Sequence, residues 1–250
     1  MDAQQGRVHP AVVRCNRGCI VNAMNVSVVV PVYNESTNVE SLVRRLRALK
    51  DDYVKDIIVV DGGSTDGSFT QLQAQLGKHA ACIKSDKGRA KQMNAGAQHA
   101  TGTWLFFLHA DTELTGLHII EAVNQATMGK WGRFDVQLSG HHPAFRVIER
   151  FINWRSRWTG VATGDQCLFV RKNLFDELGG FASIPLMEDV ELSKRLKRIA
   201  PPICVAKPVT TSSRKWEQDG IIKTVWLMWR LRFAYWLGAS PDELVKKYYR

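Results

Sequence analysis

Two patterns of apolar and polar positions alternate through the first half of the chain. Continuous β-branched or apolar runs such as VSVVVPVYN and TWLFFLHA predict strands buried on both faces, because a half-exposed strand would alternate in polarity. Between these runs, apolar or alanine-rich positions recur at helical spacing, and Ser36 or Thr37 is a plausible N-cap for the first helix. The predicted strands cover residues 26–34, 56–61, 82–84 and 103–110, and the predicted helices cover residues 35–49, 69–76 and 87–102. Strands that are each followed by a helix predict an α/β fold with a mainly parallel central sheet flanked by helices.

The second half of the chain carries a weaker form of this alternation. CLFV (167–170) predicts a strand, and the paired glycines Gly179 and Gly180 break the chain. From Glu188 onward, apolar residues at helical spacing predict an amphipathic helix. Glu188 and Asp189 lie in its first turn, where acids interact favourably with the helix dipole and need no further explanation.

Length and composition indicate an ordinary globular protein. A chain of 250 residues with 45% hydrophobic content forms one large domain or two small ones. Its five cysteines are odd in number and form no CxxC pair, which predicts reduced thiols in the cytoplasm and no structural zinc site. We expect residues 1–24 to form a disordered leader, because they lack the apolar core of a signal peptide. No apolar run approaches the ~18 residues that a membrane span needs.

The formal net charge is +10, and the excess is concentrated after residue 193, where thirteen Lys and Arg face four Asp and Glu. Such an excess is typical of a polyanionic partner, which includes nucleic acid, an anionic membrane surface and a phosphorylated small molecule, or of an ordinary solvated face. The segment 224–238 is rich in aromatic residues but also contains Arg230 and Arg232. It predicts peripheral contact with the inner membrane face, a homodimer contact, or packing on the protein's own core.

Polar and acidic residues follow each of three predicted strands. Glu35 follows the first strand, Asp61 and Asp66 flank the Gly-rich turn after the second, and Asp111 follows the last. Any one of these acids is explained by turn or capping chemistry, but parallel strands bring their carboxyl ends to one edge of the sheet. Three such ends predict a divalent cation together with an anion that the cation neutralises. Carboxylates at this edge would repel a nucleic acid, so we expect no nucleic-acid partner.

The order of the motifs resembles that of glycosyltransferase family 2, whose members have the GT-A fold. The matching segments are PVYNE, VVDGGSTDGS, GRAKQMNAGA, FLHADT and MEDVELSKRL, and they extend from about Val26 to Leu196. The segments GRAKQMNAG, LHADT, WGRFDV, GDQCLFV, PLMEDVEL and TSSRKWE are most similar to the branch associated with arsenosugar biosynthesis. The Gly-rich turn matches neither a phosphate-binding P-loop nor a dinucleotide-binding loop, which disfavours a nucleotidyltransferase.

The resemblance implies a single GT-A domain over residues 25–205, followed by a largely helical C-terminal extension over residues 206–250. Within the domain, residues 25–115 would form the nucleotide and metal half and residues 116–205 the acceptor half. The implied reaction transfers a hexose or pentose from a nucleotide-diphosphate sugar to a small-molecule or lipid-linked acceptor, with inversion at the anomeric carbon. A polyprenyl-phosphate sugar transferase and a non-catalytic nucleotide-sugar binding protein remain alternatives.

The resemblance also assigns binding roles to individual residues. The positions that would contact the nucleotide sugar are Pro31, Tyr33, Glu35, Asp61, Asp66, Arg89, Ala110, Gly164, Asp165, Gln166, Arg214 and Trp216. Trp131 and Arg133 would contact the acceptor, the first by stacking on a sugar and the second by pairing with an anion, although Trp131 next to a glycine is also typical of packing at a turn.

Metal and base positions follow from the same resemblance. Asp111 would bind Mn²⁺ or Mg²⁺, and His109 stands where the family has the first acid of its metal motif. An imidazole there would donate to a phosphate, bind the metal with a small preference for manganese, or only pack. Asp189 would be the general base, with Glu188 supporting it.

Overall fold

The computed structural model describes residues 25–49, 52–126 and 129–248, and the expected leader (1–24) lies outside them. An eight-stranded sheet forms the centre of the molecule. Its strands are β1 (Val26–Val32), β2 (Val54–Asp61), β3 (Ala81–Lys84), β4 (Trp104–Phe107), β5 (Thr112–Glu113), β6 (Trp131–Leu138), β7 (Phe169–Arg171) and β8 (Ile203–Thr211). The α-helices are α1 (Val39–Ala48), α2 (Ser68–Leu76), α3 (Arg89–His99), α4 (Gly116–Gln125), α5 (Pro143–Thr159), α6 (Lys172–Glu177), α7 (Glu188–Leu196), α8 (Arg214–Asp219), α9 (Ile221–Trp236) and α10 (Pro241–Tyr248).

The strand order confirms the predicted α/β architecture. The sheet runs β3-β2-β1-β4-β7-β6-β8-β5, and its first four strands are parallel, as expected for strands connected through helices. The other strands are mixed, because β7 is antiparallel to both β4 and β6 whereas β6 and β8 are parallel. The carboxyl ends of β1, β2 and β4 therefore lie side by side at one edge of the sheet.

Two apolar cores cover the faces of the sheet. One contains residues of α1, α2 and α4 packed on alternate positions of β1 and β2, and the other contains residues of α3, α6 and α7. Helix α3 approaches β1 so closely that a Cβ added at Gly96 would lie 2.3 Å from Cγ1 of Val29. This covering of both faces explains why β1, β2 and β4 read as continuous apolar runs.

The first helix begins later than its periodicity predicts. A short 3₁₀ turn occupies Ser36–Asn38, and α1 begins at Val39 without a side-chain cap from Asn38. The proposed N-cap Ser36 instead donates its backbone N–H to the carboxylate of Asp66, 2.9 Å away, which holds this loop against the turn after β2. A tertiary contact thus replaces the local cap.

The C-terminal region is attached to the sheet and then becomes helical. Strand β8 continues through residue 205, at which the sequence suggested the end of the GT-A domain, and pairs with β6 as far as Thr211. Helices α8, α9 and α10 follow, and a small core formed by Met187, Leu231 and Leu244 joins α9 and α10 to the start of α7. Within the described ranges, no helix combines the length and the apolar character that crossing a membrane requires.

Candidate active site

Asp61 closes β2 and organises the Gly-rich turn. It is 1% exposed, and its Oδ2 accepts hydrogen bonds from the backbone N–H groups of Gly63 and Ser64, both at 3.0 Å. Its Oδ1 is buried and has no hydrogen-bond partner in the part of the chain that the structure describes. A buried carboxylate oxygen without a donor is unfavourable unless a ligand supplies one, so Asp61 is a candidate contact for an N–H group.

Asp66 has a structural role in this turn. Its carboxylate accepts hydrogen bonds from the N–H of Ser36 at 2.9 Å and from the N–H and hydroxyl of Ser68. These bonds, with that from the Ser68 hydroxyl the strongest, lower the pKa of Asp66 well below its usual value. Both carboxylate oxygens therefore hold the turn after β2 against the loop after β1, and the expected contact of Asp66 with the nucleotide stays a prediction.

The loop after β1 is connected to the C-terminal region. Tyr33 is 38% exposed, and the Lys87 ammonium lies 4.2 Å from its ring centroid and 3.1 Å from its hydroxyl. Asn38 donates to the Glu35 carboxylate at 2.6 Å and accepts at 3.0 Å from Arg214 in α8. Helix α8 thus reaches across to the strand end at which the nucleotide residues were predicted. Trp216 is half-buried in the same helix.

Two residues that the sequence did not single out hold these loops in place. The amide of Gln92 is buried under the turn and donates to the carbonyls of Val32 at 2.7 Å and Val60 at 2.9 Å, which ties the ends of β1 and β2 together. The guanidinium of Arg45 donates to the carbonyl of Ala110 in the loop after β4. A polar residue on the buried face of α3 was the available signal for Gln92.

Asp111 lies among charges of both signs at the rim of the sheet. Desolvation raises the pKa of its carboxyl, and the neighbouring Asp165 carboxylate raises it further, whereas Arg89 and Arg214 oppose the shift. The carboxylate of Asp111 therefore lies where the loop after β4 meets α3, α8 and the turn before β7. Such a group, between two cations and a second acid, is suited to binding a cation that also contacts an anion.

His109 lies behind Asp111 against the turn at 164–166. Its Nε2 is buried without a hydrogen-bond partner within the described residues, and burial holds its pKa well below the usual value. A Cβ added at Gly164 would lie 2.3 Å from Nε2 and Cε1 of His109, so only glycine accommodates this ring. His109 is therefore an imidazole packed against the turn in this structure.

The acids at the start of α7 lie beside this imidazole. Asp189 accepts hydrogen bonds from the N–H of Gly164 and of Val190, both at 2.7 Å. Glu188 is buried, with its carboxylate 3.5 Å from the guanidinium of Arg89. Burial, followed by repulsion from Asp189, raises the pKa of Glu188 to about 7. Met187, directly before these acids, adopts a left-handed conformation with φ of 70°.

Some polar groups of the turn before β7 find hydrogen-bond partners within the turn itself, and others do not. Gln166 is fully buried, and its Oε1 accepts from the N–H of Thr163 at 3.2 Å, which closes the turn. Its Nε2 and the Oδ1 of Asp165 are buried without hydrogen-bond partners in the described ranges. Gln166 therefore holds the turn, whereas Asp165 keeps an oxygen for a ligand.

The two predicted acceptor residues require a correction. Trp131 is completely buried in the core and donates its Nε1–H to the carbonyl of Ala200 at 2.8 Å, so its ring cannot stack on a sugar. Arg133 is also completely buried, where it pairs with Asp135 and donates to the carbonyl of Asn153 at 3.2 Å. Both side chains point into the protein because β6 is an interior strand with helix α5 packed against it.

The sequence itself, compared with the patterns of known protein families, decides the family. Residues 27–178 match the family described as Glycosyl transferase family 2. The chain therefore belongs to glycosyl transferase family 2. The resemblance inferred from the motifs is confirmed at this level, whereas the arsenosugar-associated branch stays a prediction.

Curated relatives in glycosyl transferase family 2 cover part of the chain. An undecaprenyl-phosphate 4-deoxy-4-formamido-L-arabinose transferase from Enterobacter sp. (strain 638) is 31% identical over 166 residues, which is 58% of this chain and 47% of that protein. A protein of the same description from Pseudomonas fluorescens (strain SBW25) is 33% identical over 155 residues, covering 58% of this chain and 46% of the relative. The chain thus spans about half the length of the curated relatives it matches.

Solved structures support the GT-A fold of this family 2 member. S. aureus TarS in complex with UDP-GlcNAc superposes with a TM-score of 0.60 at 16% identity, over 76% of this chain and 58% of that one. The mannosyltransferase PcManGT from Pyrobaculum calidifontis, in complex with GDP-Man and Mn²⁺, gives a TM-score of 0.60 at 21% identity, over 84% of this chain and 61% of that one. At such identities the likeness establishes the fold.

The residues around Asp111 fit a divalent cation held mainly by a ligand. Within residues 25–49, 52–126 and 129–248, no group of three His, Cys, Asp or Glu side chains forms a complete metal site. Mg²⁺ and related ions commonly bind one or two protein carboxylates and take their other ligands from water and substrate phosphates. Asp111 and the unpartnered oxygen of Asp165 match that pattern.

Proposed function

We propose that this chain is an inverting, metal-dependent glycosyltransferase that uses a nucleotide-diphosphate-sugar donor. The observation that carries the proposal is the grouping of Asp111 with Arg89, Asp165 and Arg214 at the carboxyl edge of the sheet, in a member of glycosyl transferase family 2. A non-catalytic nucleotide-sugar binder would have no need of a second acid pair, yet Glu188 and Asp189 lie beside the same cluster.

Separate groups would bind the two ends of the donor. The buried Oδ1 of Asp61 is suited to accept from an N–H of the nucleobase, with Pro31, Tyr33 and Glu35 around it. Arg89 and Arg214 are suited to the diphosphate, because guanidinium groups pair with phosphates in a bidentate manner. Asp111 and Asp165 would hold Mn²⁺ or Mg²⁺, which supplies positive charge to the leaving diphosphate. His109 is assigned a packing role, and Ala110 lines the same loop.

Asp189 is the proposed general base. The acceptor oxygen would attack the anomeric carbon as the bond from that carbon to the diphosphate oxygen breaks, and the hydroxyl proton would pass to the Asp189 carboxylate. The N–H groups of Gly164 and Val190 hold that carboxylate in a fixed orientation. Glu188 lies between Asp189 and Arg89, so its charge tunes both the base and the phosphate-binding arginine.

Two classes of acceptor are compatible with this site. The arsenosugar-associated branch predicts a small-molecule hydroxyl, for which Asp189 is essential. A polyprenyl phosphate is favoured by a specific observation, because α5 and α9 expose an aromatic surface and the curated relatives are described as undecaprenyl-phosphate transferases. A phosphate oxygen is already ionised and needs no base. We propose that such a protein would act at the cytoplasmic membrane face as a peripheral enzyme.

The test is a donor-cleavage screen on the purified full chain. UDP-, GDP- and dTDP-linked hexoses and pentoses are incubated with Mn²⁺ or Mg²⁺, and the released nucleoside diphosphate is measured. We expect release from one donor class that requires the metal and falls by at least about a hundredfold in Asp111→Ala. Glu113→Ala, an exposed acid two residues further on, is the matched control and should retain activity.

Asp189→Asn separates the two acceptor classes. Transfer to a hydroxyl acceptor should fall by about a hundredfold or more without the base, whereas transfer to a short prenyl phosphate should fall much less. Cleavage of no donor in the presence of pooled cell-extract acceptors, together with no metal-dependent thermal shift by any nucleotide, would reject the transferase proposal.

A further inference from the structure

Helices α5 and α9 lie side by side next to the candidate base. The ring of Phe151 in α5 stacks on Trp229 in α9, with centroids 5.2 Å apart and planes 26° apart. Residues three or four positions further along a helix lie on the same face one turn on. Arg155 lies one turn beyond Phe151 in α5 and Arg232 one turn beyond Trp229 in α9, and the positive charge of Arg232 acts on Arg155.

The guanidinium of Arg155 is incompletely satisfied. Its Nε and Nη2 are buried and have no hydrogen-bond partner among the residues that the structure describes. The charges around it are those of Arg232, Asp165, Asp189 and Arg133, and no ion pair joins it to either carboxylate. A buried cation with unpaired N–H groups is unfavourable, and the neighbouring positive charge of Arg232 makes it more so.

An anion held by both arginines would remove this penalty. Burial, followed by the charge of Arg232, lowers the pKa of Arg155 to about 10, which is the direction expected for cations that lack a counter-ion. Guanidinium groups bind tetrahedral oxyanions through paired hydrogen bonds, and such bonds are stronger in a partly desolvated site. Asp165 and Asp189 lie on the side of the sugar-transfer site, so an anion here would be next to the acceptor position.

We propose that Arg155 and Arg232 form an acceptor subsite that binds the phosphate of a phosphomonoester. This inference rests on the proposed function, because the acceptor position is defined by Asp189. The exposed rings on the same helices, Trp154, Trp158, Phe233 and Trp236, suit an apolar chain attached to that phosphate. A lipid phosphate and a soluble phosphate ester share the recognised group, and the test distinguishes them.

Equilibrium binding tests the subsite without requiring turnover. The full chain is titrated with a short prenyl phosphate, with the corresponding prenyl alcohol and with inorganic phosphate, and tryptophan fluorescence reports binding. We expect Arg155→Gln and Arg232→Gln each to weaken binding of the prenyl phosphate about tenfold or more while leaving the alcohol unchanged. Arg44→Gln, at an exposed arginine of α1, is the control and should bind like the unmodified chain.

Each outcome decides a separate question. A preference for prenyl phosphate over inorganic phosphate assigns the subsite to a lipid acceptor, and equal binding assigns it to a soluble phosphate ester. Unchanged phosphate binding in both arginine variants, or an equal loss for phosphate and alcohol, would overturn the proposal.

If the donor screen shows turnover, the same variants should raise the acceptor KM with little change in kcat. A fall in kcat alone would instead make Arg155 a counter-ion of Asp189. Phosphate binding without any donor cleavage would keep the subsite and reject only the transferase function.

Discussion

At the scale of single residues, Glu188 is held in a form that stabilises the fold most at low pH. Burial raises its pKa to about 7, above the ordinary value of 4.5, so the folded protein binds a proton there that the unfolded chain releases between these values. The contribution to stability is therefore full below about pH 4.5 and is lost as the pH rises toward 7. Above pH 7 an ionised Glu188 is buried beside Asp189, with Arg89 as a partial counter-charge.

Glu188→Gln should stabilise the protein at high pH and leave it unchanged at low pH. The amide has the same shape without the buried charge, so we expect a gain on the order of 2 kcal/mol at pH 8 that disappears by pH 4.5. Urea unfolding at the two pH values measures the difference. Glu177→Gln, an exposed acid of α6, is the control and should show no such pH dependence. A variant less stable than the original chain at pH 8 would contradict this account.

Gly164 lies in close contact with the buried ring of His109. Gly164→Ala should destabilise the protein by about 1–3 kcal/mol, because its Cβ would lie 2.3 Å from the buried imidazole. It should also reduce donor cleavage, since the Gly164 N–H holds Asp189. Adding His109→Ala makes room for the methyl group, so the double variant should be more stable than the sum of the single effects predicts. Strict additivity in thermal unfolding would show that the contact does not limit this position.

At the scale of elements, the sequence predicts the first half of the sheet well. Continuous apolar runs identify β1, β2 and β4, and the acids at the ends of these strands include Asp61 and Asp111. Both signals are local in the sequence, so sequence analysis finds them. Arg155 and Arg45 act through elements that are distant in sequence, so no local pattern marks them, whereas Gln92 is marked only by its place on the buried face of α3. Trp131 and Arg133 were assigned to the acceptor, but they belong to an interior strand whose depth depends on how α5 packs. The sequence predicts that the C-terminal extension is largely helical. It does not predict that α9 contacts Met187 at the start of α7.

Helix α9 supports the segment that carries Glu188 and Asp189. Leu231 is 2% exposed and packs with Met187, whose left-handed backbone starts α7. Leu231→Ala should destabilise the protein by about 2–4 kcal/mol and lower transfer activity further, because the acids lose their support. Leu237→Ala, at the 65% exposed end of the same helix, should change stability by less than about 0.5 kcal/mol. Chemical denaturation and the transfer assay measure both effects, and full activity in Leu231→Ala at a temperature at which it is folded would disprove the coupling.

At the scale of the whole molecule, the active-site edge and the aromatic surface lie on neighbouring parts of the structure. Helix α9 contacts the start of α7 through Leu231 and contacts α5 through Trp229, so one helix borders both regions. The exposed rings of α5 and α9 are accompanied by arginines, including Arg150 and Arg230, which is the composition of a surface that lies in a membrane interface. An acceptor anchored in that interface would lie against the two helices that carry Arg155 and Arg232.

This arrangement predicts that the full chain binds vesicles that contain anionic lipid. Binding measured by co-sedimentation should weaken with salt, because the arginines interact with charged headgroups. It should also weaken in Trp154→Ser/Trp236→Ser, whose rings are 59% and 74% exposed, since those rings would no longer enter the interface. Leu117→Ser, at a 63% exposed position on α4, is the control and should bind like the original chain.

A homodimer through the same surface predicts a different result. Light scattering would give twice the chain mass, the tryptophan variant would be a monomer, and vesicles would not be bound at any salt concentration. That result would place the rings between two copies of the chain and remove the lipid interface from the proposed function.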